Sequence, residues 1–192
     1  MYKSYLFPIQ IFLILEKSNA IFWNSKTLIP NHFVCFIDSK WFYLINNIFK
    51  HELFLNSSTL IENTAIDMRF LNKNFKELDS FYNKQKLFSL YTYYFYNLKL
   101  RLTLLVNLKN SFKSSIWSID KIYTNAHWLE RETSEMYGIF FYWKNDTRKL
   151  LLDYSKIENP MLKDFPCEGF MDVFFNFFEN QVTIHKNEII EL

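Results

Sequence analysis

The sequence predicts an α+β fold: a compact domain with a mainly antiparallel sheet and packed helices, followed by an extended C-terminal arm. Three observations predict it. Apolar residues recur at steps of three and four in two stretches, one beginning at Asp38 and one at Asn125. Between them lie strand-like runs at 60–70, 87–96 and 98–106. Beyond Gly138 the periodicity stops, and Pro160 and Pro166 mark a path that is neither helix nor central strand. The chain divides accordingly into an apolar N-terminal arm at 1–35, an α+β domain at 36–138, and an extended partner-binding arm at 139–192.

The N-terminal stretch from Tyr5 to Leu15 is apolar but interrupted by Pro8 and Gln10. It is far shorter than the roughly 20 residues that span a bilayer. A transit peptide is Arg-rich, whereas the first arginine here is Arg69. Two readings stay open: an arm packed on this chain or a neighbour, and a short core strand.

From Asp38 the spacing of Trp41, Leu44, Ile45, Ile48, Phe49 and Leu53 predicts a helix, with Asp38 or Ser39 as its cap. His51-Glu52 begins a zinc-binding pattern, but the fifth position is Leu55, so the second ligand is missing. The run at 60–70 reads as a strand. The polar stretch 73–86 reads as a loop or short helix, and 87–96 is densely aromatic. Leu98, Leu100, Leu102 and Leu104 then alternate with Lys99, Arg101 and Thr103, the period of a half-buried strand. The short step at Asn97 predicts a hairpin between the two runs it separates.

Composition bounds the function classes. Phe (22) and Tyr (12) are abundant while Gly (2) and Pro (4) are scarce. This contrast follows A+T-rich against G+C-rich codons and indicates mutational pressure, as in an organellar genome. A net charge of +2 with 22% charged residues favours neither disorder nor attraction to nucleic acid. Cys35 and Cys167 stand apart without a CxxC partner, which excludes a zinc ribbon or redox dithiol and predicts reduced, buried thiols. The Asn-x-Ser/Thr patterns at Asn56 and Asn145 are read as chance. In a chain this poor in glycine, Gly138 and Gly169 are expected where backbone geometry requires them.

The second helix carries the densest pattern. Asn125 is positioned to cap it and Gly138 to end it in the left-handed conformation. Ala126, Leu129, Thr133, Met136 and Tyr137 gather on one face, which docks the helix on its own domain. His127, Arg131, Ser134 and Glu135 gather on the other, beside Trp128, and Glu130 and Glu132 flank the helix. That second face is either solvated or a protein interface, since Trp and Arg recur at interface centres. His127 and Glu130, at i and i+3, also fit a shared metal, the basis of an alternative reading as a small metal-dependent enzyme; no further ligands cluster with them. Downstream, Met171 to Phe178 and Gln181 to His185 predict a final hairpin around Glu179-Asn180. The arm is expected to order fully only on a partner, with fast amide exchange across 145–170 in the free chain.

These residues carry a family resemblance. Glu130-Arg131-Glu132, Glu135-Met136-Tyr137, Lys144, Arg148 and Leu150-Leu151 resemble the signature of the 30 kDa subunit family of respiratory complex I, the NADH dehydrogenase of the respiratory chain. Asp153-Tyr154 and the segment from Pro160 to Pro166, with Lys163-Asp164-Phe165-Pro166 intact, resemble that family's next segment. The match is dense over 125–169 and one of pattern over 38–106. Glu158-Asn159 and Leu162 depart from it, where the family has Gly-His and Arg.

The resemblance implies a non-catalytic subunit of the peripheral arm that binds no metal or cofactor of its own. Iron–sulfur clusters, FMN and quinone would lie elsewhere in the assembled complex; two lone cysteines cannot build a four-thiolate cluster. It implies docking on the 49 kDa subunit and neighbouring peripheral-arm subunits, on the matrix side of the mitochondrial inner membrane, with no transmembrane span and no nucleic acid. Trp128, Glu130, Arg131, Glu132, Glu135, Lys144, Arg148, Lys163, Asp164, Phe165 and Pro166 are the expected partner-interface residues. The equivalent subunit of a membrane-bound hydrogenase is the alternative within the family.

Overall fold

A computed structural model describes residues 21–23, 32–51, 58–68, 87–108, 115–154 and 158–187. The expectations for Tyr5 to Leu15, Leu53 and 73–86 lie outside the described residues. The elements run β1 (Ile21–Trp23), β2 (His32–Asp38), α1 (Ser39–His51), β3 (Ser58–Asp67), β4 (Leu87–Phe95), β5 (Leu100–Asn107), β6 (Ser115–Trp117), α2 (Ala126–Tyr137), β7 (Phe140–Tyr142), β8 (Met171–Asn176) and β9 (Gln181–Lys186). Five strands form one sheet in the order β1-β2-β5-β4-β3, antiparallel throughout except for the parallel pair β2–β5. The fold is α+β, with two helices among the described residues.

The predicted hairpin is β4–β5, closed by a 3-10 turn at Tyr96–Leu98 with Lys99 in the left-handed region. Alternation sends Tyr91, Tyr93 and Phe95 to one face of β4, opposite Leu104, Leu102 and Leu100 of β5. Helix α1 packs on that face. Phe42 meets Tyr91 at 4.4 Å between ring centroids, and Phe49 meets Tyr93 and Phe95 at 5.7 and 5.3 Å. Tilted and edge-on rings of this kind add roughly 0.5–1.5 kcal/mol per pair beyond the area they bury.

The buried stripe of α1 is Phe42, Ile45, Asn46 and Phe49, so Ile45 and Phe49 face inward as expected but Trp41 and Leu44 face out. The apolar arc of the helix is wide, running from Leu44 and Ile48 through Trp41 and Ile45 to Phe42, so two overlapping stripes satisfy the same spacing. The sheet takes the one that brings Phe42 and Phe49 over its tyrosines.

Helix α2 leans on the edge strand β3. Ile61 is an extra residue there, between the Leu60–Tyr93 and Glu62–Thr92 pairs. The helix satisfies the backbone around this bulge: Asn125 Nδ2 donates to the Leu60 carbonyl at 3.0 Å and Thr133 Oγ1 to the Asn63 carbonyl at 3.2 Å. Asn125 therefore makes no side-chain cap for its own helix; its amide is drawn to the strand instead. Covering an edge strand in this way also blocks its pairing with another chain.

The core crosses both expected domain boundaries. Strands β1 and β2 belong to the main sheet; β1 lies within the stretch expected as an N-terminal arm and β2 runs across its end. Ile139 and Phe141 are buried in the core, and β7 pairs in parallel with β6. The predicted C-terminal hairpin is β8–β9, but its first strand ends at Asn176, not Phe178, so the turn runs through Phe177, Phe178, Glu179 and Asn180. Cys35 is buried, and burial pushes its thiol up to about 12, but Cys167 is exposed, against expectation; both are free.

Gly138 ends α2 at φ 70°, with its amide donating to the Ser134 carbonyl at 2.9 Å. A Cβ there would sit 2.8 Å from Asn159 Nδ2, so alanine meets both the left-handed strain and a steric conflict. Gly138→Ala should lower stability by more than 1 kcal/mol, on the order of the left-handed cost alone. Asn159→Ser should recover the steric part only. Thermal melts of both variants, alone and combined, check this.

Candidate functional site

Helix α2 and the loop that follows it make one polar structure, built on five side chains of the signature. Glu130 is fully buried. Its carboxylate accepts from Ser118 Oγ at 2.6 Å, the Ile119 amide at 2.8 Å and Lys144 Nζ at 3.1 Å. Lys144, its side chain 2% exposed, also lies 3.9 Å from Asp120. Burial raises the Glu130 carboxyl above its usual range, partly offset by the Ile119 amide, the Ser118 hydroxyl and Lys144.

Arg131 and Glu135, one turn apart, grip the backbone of the loop with opposite polarity. Arg131 donates from Nε to the Arg148 carbonyl at 2.9 Å and from a terminal nitrogen to the Lys149 carbonyl at 3.3 Å. Glu135 accepts from the amides of Leu150 and Leu151 at 2.9 and 3.0 Å, and from that of Leu152. Three successive amides pointing at one carboxylate form an anion-binding nest. Burial acts to raise the Glu135 carboxyl, but the three amides and Lys149 outweigh it and hold it below its usual value.

Asp146 ties the outer edge. It receives the Arg148 side chain at 3.0 and 2.8 Å and the Arg148 amide at 3.1 Å, and lies 3.4 Å from Arg131 and 3.6 Å from His127. The Arg148 contacts, with Arg131 behind them, hold its carboxyl well below the usual range. The Arg131 guanidinium also sits over Trp128, 5.0 Å from the ring centroid.

Glu130, Arg131, Glu135 and Lys144, expected at a partner interface, have side chains buried and bonded within this chain: Arg131 and Glu135 to the backbone of the loop, Glu130 and Lys144 to each other. Glu130 also sits apart from His127 chemically: its oxygens face Ser118, Ile119 and Lys144, while His127 faces Asp146, so the two share no metal position. Among the described residues no three His, Cys, Asp or Glu side chains converge as a metal site. Trp128, Glu132 and Arg148 do face outward.

The segment 158–166 returns to the same helix. The Met161 amide donates to the Met136 carbonyl at 3.1 Å, and the Lys163 amide to Asp67 Oδ2 at 3.1 Å, at the end of β3. Lys163 and Asp164 are exposed, while Phe165 and Pro166 are half-buried, with Phe165 edge-on to Phe170 at 5.2 Å. Asn159, where the resemblance expects His, lies against Gly138. A cavity of about 420 Å³ runs between the end of α2 and the loop, lined among others by Arg131, Glu135, Lys149 and Asn159. Sequence reasoning missed Ser118, Asp120 and Asp146. Nothing in their spacing marked them, since the first two lie on the approach to α2 and the third sits in a turn.

A family model described as "Respiratory-chain NADH dehydrogenase, 30 Kd subunit" matches residues 38–171. NADH-ubiquinone oxidoreductase subunit 9 of Paramecium primaurelia is 36% identical over 97% of this chain and 87% of its own length. The subunit 9 of Prototheca wickerhamii is 36% identical over 39% of this chain and 39% of its own. Two solved structures share the fold. A chain of an archaeal membrane-bound sulfane sulfur reductase has a TM-score of 0.62 at 16% identity, covering 84% of this chain and 86% of that one. A trypsin-resistant fragment of Nqo5 has a TM-score of 0.56 at 11% identity, covering 72% and 98%.

Two variants separate these interactions. Glu130→Ala strands Lys144 in a buried position and should cost about 3–5 kcal/mol, the range for removing one partner of a buried ion pair. Glu135→Gln should cost about 1–3 kcal/mol, the range for one charge-assisted hydrogen bond, because the amide oxygen still accepts from the nest. Since the folded Glu135 carboxyl titrates below 4.5, its contribution is complete above that pH and is lost as pH falls through the folded value. Glu135→Gln should therefore flatten part of the acid limb of a stability–pH curve from urea melts. Asp146, shifted in the same direction, keeps the remainder.

Proposed function

The chain belongs to the respiratory-chain NADH dehydrogenase 30 kDa subunit family, and from that premise we propose that it docks on the 49 kDa subunit of complex I through its C-terminal arm. The observation carrying the complex I reading is a 36% identity that runs through 97% of the chain to a mitochondrial-type subunit 9. As such a subunit it serves NADH:ubiquinone oxidoreductase, a respiratory, membrane-associated complex of the mitochondrion. No helix among the described residues is long and apolar enough to cross a membrane. In the proposed reading the chain is non-catalytic and binds no cofactor. Iron–sulfur clusters, FMN and quinone belong to its neighbours, and the chain sits on the matrix side in the peripheral arm.

The arm's surface supports docking. Strands β8 and β9 form a lone two-stranded hairpin, an arrangement that is marginal in water by itself. Phe174, Phe175, Val173, Val182 and Ile184 are all exposed on it, and Phe177 and Phe178 at its turn are 82% and 101% exposed. Taking about 200 Å² for a whole ring side chain, Phe170 and the four phenylalanines of the hairpin leave roughly 600 Å² in water. That approaches one partner's half of a standard interface, about 800 Å².

The signature residues then divide by role. Trp128, Glu132, Arg148, Lys163 and Asp164 are proposed to touch the partner, with Phe165 and Pro166 beneath them. Glu130, Arg131, Glu135 and Lys144 act from inside by fixing the shape of the loop that carries the exposed Leu151 and Tyr154.

Replacing both turn phenylalanines, Phe177→Ser with Phe178→Ser, should lower stability by no more than about 1.5 kcal/mol, the upper value for one edge-on ring pair, because Phe177 packs only against the exposed Phe175, 5.2 Å between centroids, and Phe178 is fully exposed. Incorporation into the complex, read by native-gel electrophoresis with mass spectrometry, should fall at least about tenfold, as for a loss of 1.4 kcal/mol. Undiminished incorporation would overturn the role of the hairpin.

A further inference from the structure

A second apolar surface lies between the outward stripe of α1 and the small β6–β7 sheet. Alternation along these strands sends Ile116 and Phe141 into the core and Trp117, Phe140 and Tyr142 outward. Trp117 is the hub. Its ring lies 6.4 Å from Tyr43 of α1, 5.9 Å from Tyr142, and 6.3 Å from Trp143, with which it is nearly parallel. Phe140 extends the chain of rings, 5.1 Å from Tyr142. Leu44 and Tyr43 form the opposite wall, enclosing a groove of about 440 Å³.

Each of the five rings is 40–71% exposed. At about 200 Å² for a whole ring side chain, they leave on the order of 500 Å² of connected aromatic surface in water. A soluble monomer's largest apolar patch is about 300–600 Å² and is often functional. Trp143 strengthens the case: it holds a left-handed backbone at φ 64° and is 71% exposed. A bulky residue kept in that conformation to present its ring to water is an outlier of the kind found at ligand clamps.

Charge specifies the occupant. Lys40 and Lys121 line the groove, and neither forms an ion pair with a described residue. The acid of the lining, Asp120, is engaged by Lys144 from inside. The rim is therefore positive while the floor is aromatic.

We propose that this groove is a second docking site, taking a segment of a neighbouring subunit that inserts one or two apolar side chains between Tyr43, Leu44 and the Trp117–Trp143 pair, with carboxylates on either side of them facing Lys40 and Lys121. The proposal rests on the reading of the chain as a subunit of a larger complex. It gives the chain a contact other than the β8–β9 hairpin, so the subunit is held at two points. Two linked contacts raise overall affinity without either being tight alone.

The test uses the assembled complex. A photo-crosslinking amino acid placed at Leu44 should join the chain to one protein segment, with Asp or Glu within a few residues of the joined site. Hydroxyl-radical oxidation of Trp117 and Trp143 should be at least fivefold slower in the complex than in the free chain. Lys40→Glu with Lys121→Glu should lower the cross-link yield several-fold while leaving the melting temperature unchanged. Equal oxidation in both states, or cross-links only to lipid, to a basic segment or to a second copy of this chain, would overturn the proposal. Co-migration with the complex is scored separately. A chain that co-migrates with both tryptophans still open refutes the groove alone, whereas failure to co-migrate refutes the subunit reading itself.

Discussion

A loop that follows a short strand without entering another regular element must satisfy its backbone polar groups somewhere. In this chain the helix just before that strand does so. Arg131 takes two carbonyls and Glu135 takes three amides from consecutive residues, so one turn of α2 offers donors and acceptors to one turn of loop. The chemistry explains the residue types. A lysine at 131 would lack the planar fork that reaches two neighbouring carbonyls, and an aspartate at 135 would fall short of the nest. Glu130 and Lys144 fasten the start of the same loop, and Asn159 closes over Gly138 at its far end. The shape of the chain over 144–154 depends on this set of contacts.

The elements that were legible in the sequence are those with one dominant period. The hairpin β4–β5, the helix ending at Gly138 and the final hairpin follow from alternation, a left-handed glycine and a polar turn. Faces were less legible than elements. On α1 a wide apolar arc leaves two overlapping candidate stripes, and only the tyrosines of β4 decide between them. On α2 the polar face resembled an interface because Arg, Glu and Trp share a side; the structure turns its charges onto the chain's own loop. Hydrophobic periodicity carries no information about a side chain that is buried because it binds backbone, and Arg131 and Glu135 are buried for that reason.

The signature can therefore act on assembly without touching a partner. A rigid loop presents Leu151, Tyr154 and Arg148 on a fixed frame, lowering the ordering cost that a partner would otherwise meet on binding. The flanking apolar hairpin supplies area, and the loop supplies geometry. This division suits a family marked by a dense polar signature. It also separates two kinds of damage: loss of a clasp residue should disturb the chain itself, while loss of an outward ring should disturb only its docking.

The most direct measurement is residue-level amide exchange at Leu150, Leu151 and Leu152 in the free, full-length chain. If Glu135 holds these amides, they are protected about 100-fold or more, equivalent to an opening free energy of about 2.8 kcal/mol, with no partner present. Exchange there at the rate of an open chain, while the amides of β4 stay protected, would contradict the account. The loop would then take its shape from a partner, as the sequence alone led one to expect for the whole stretch 145–170.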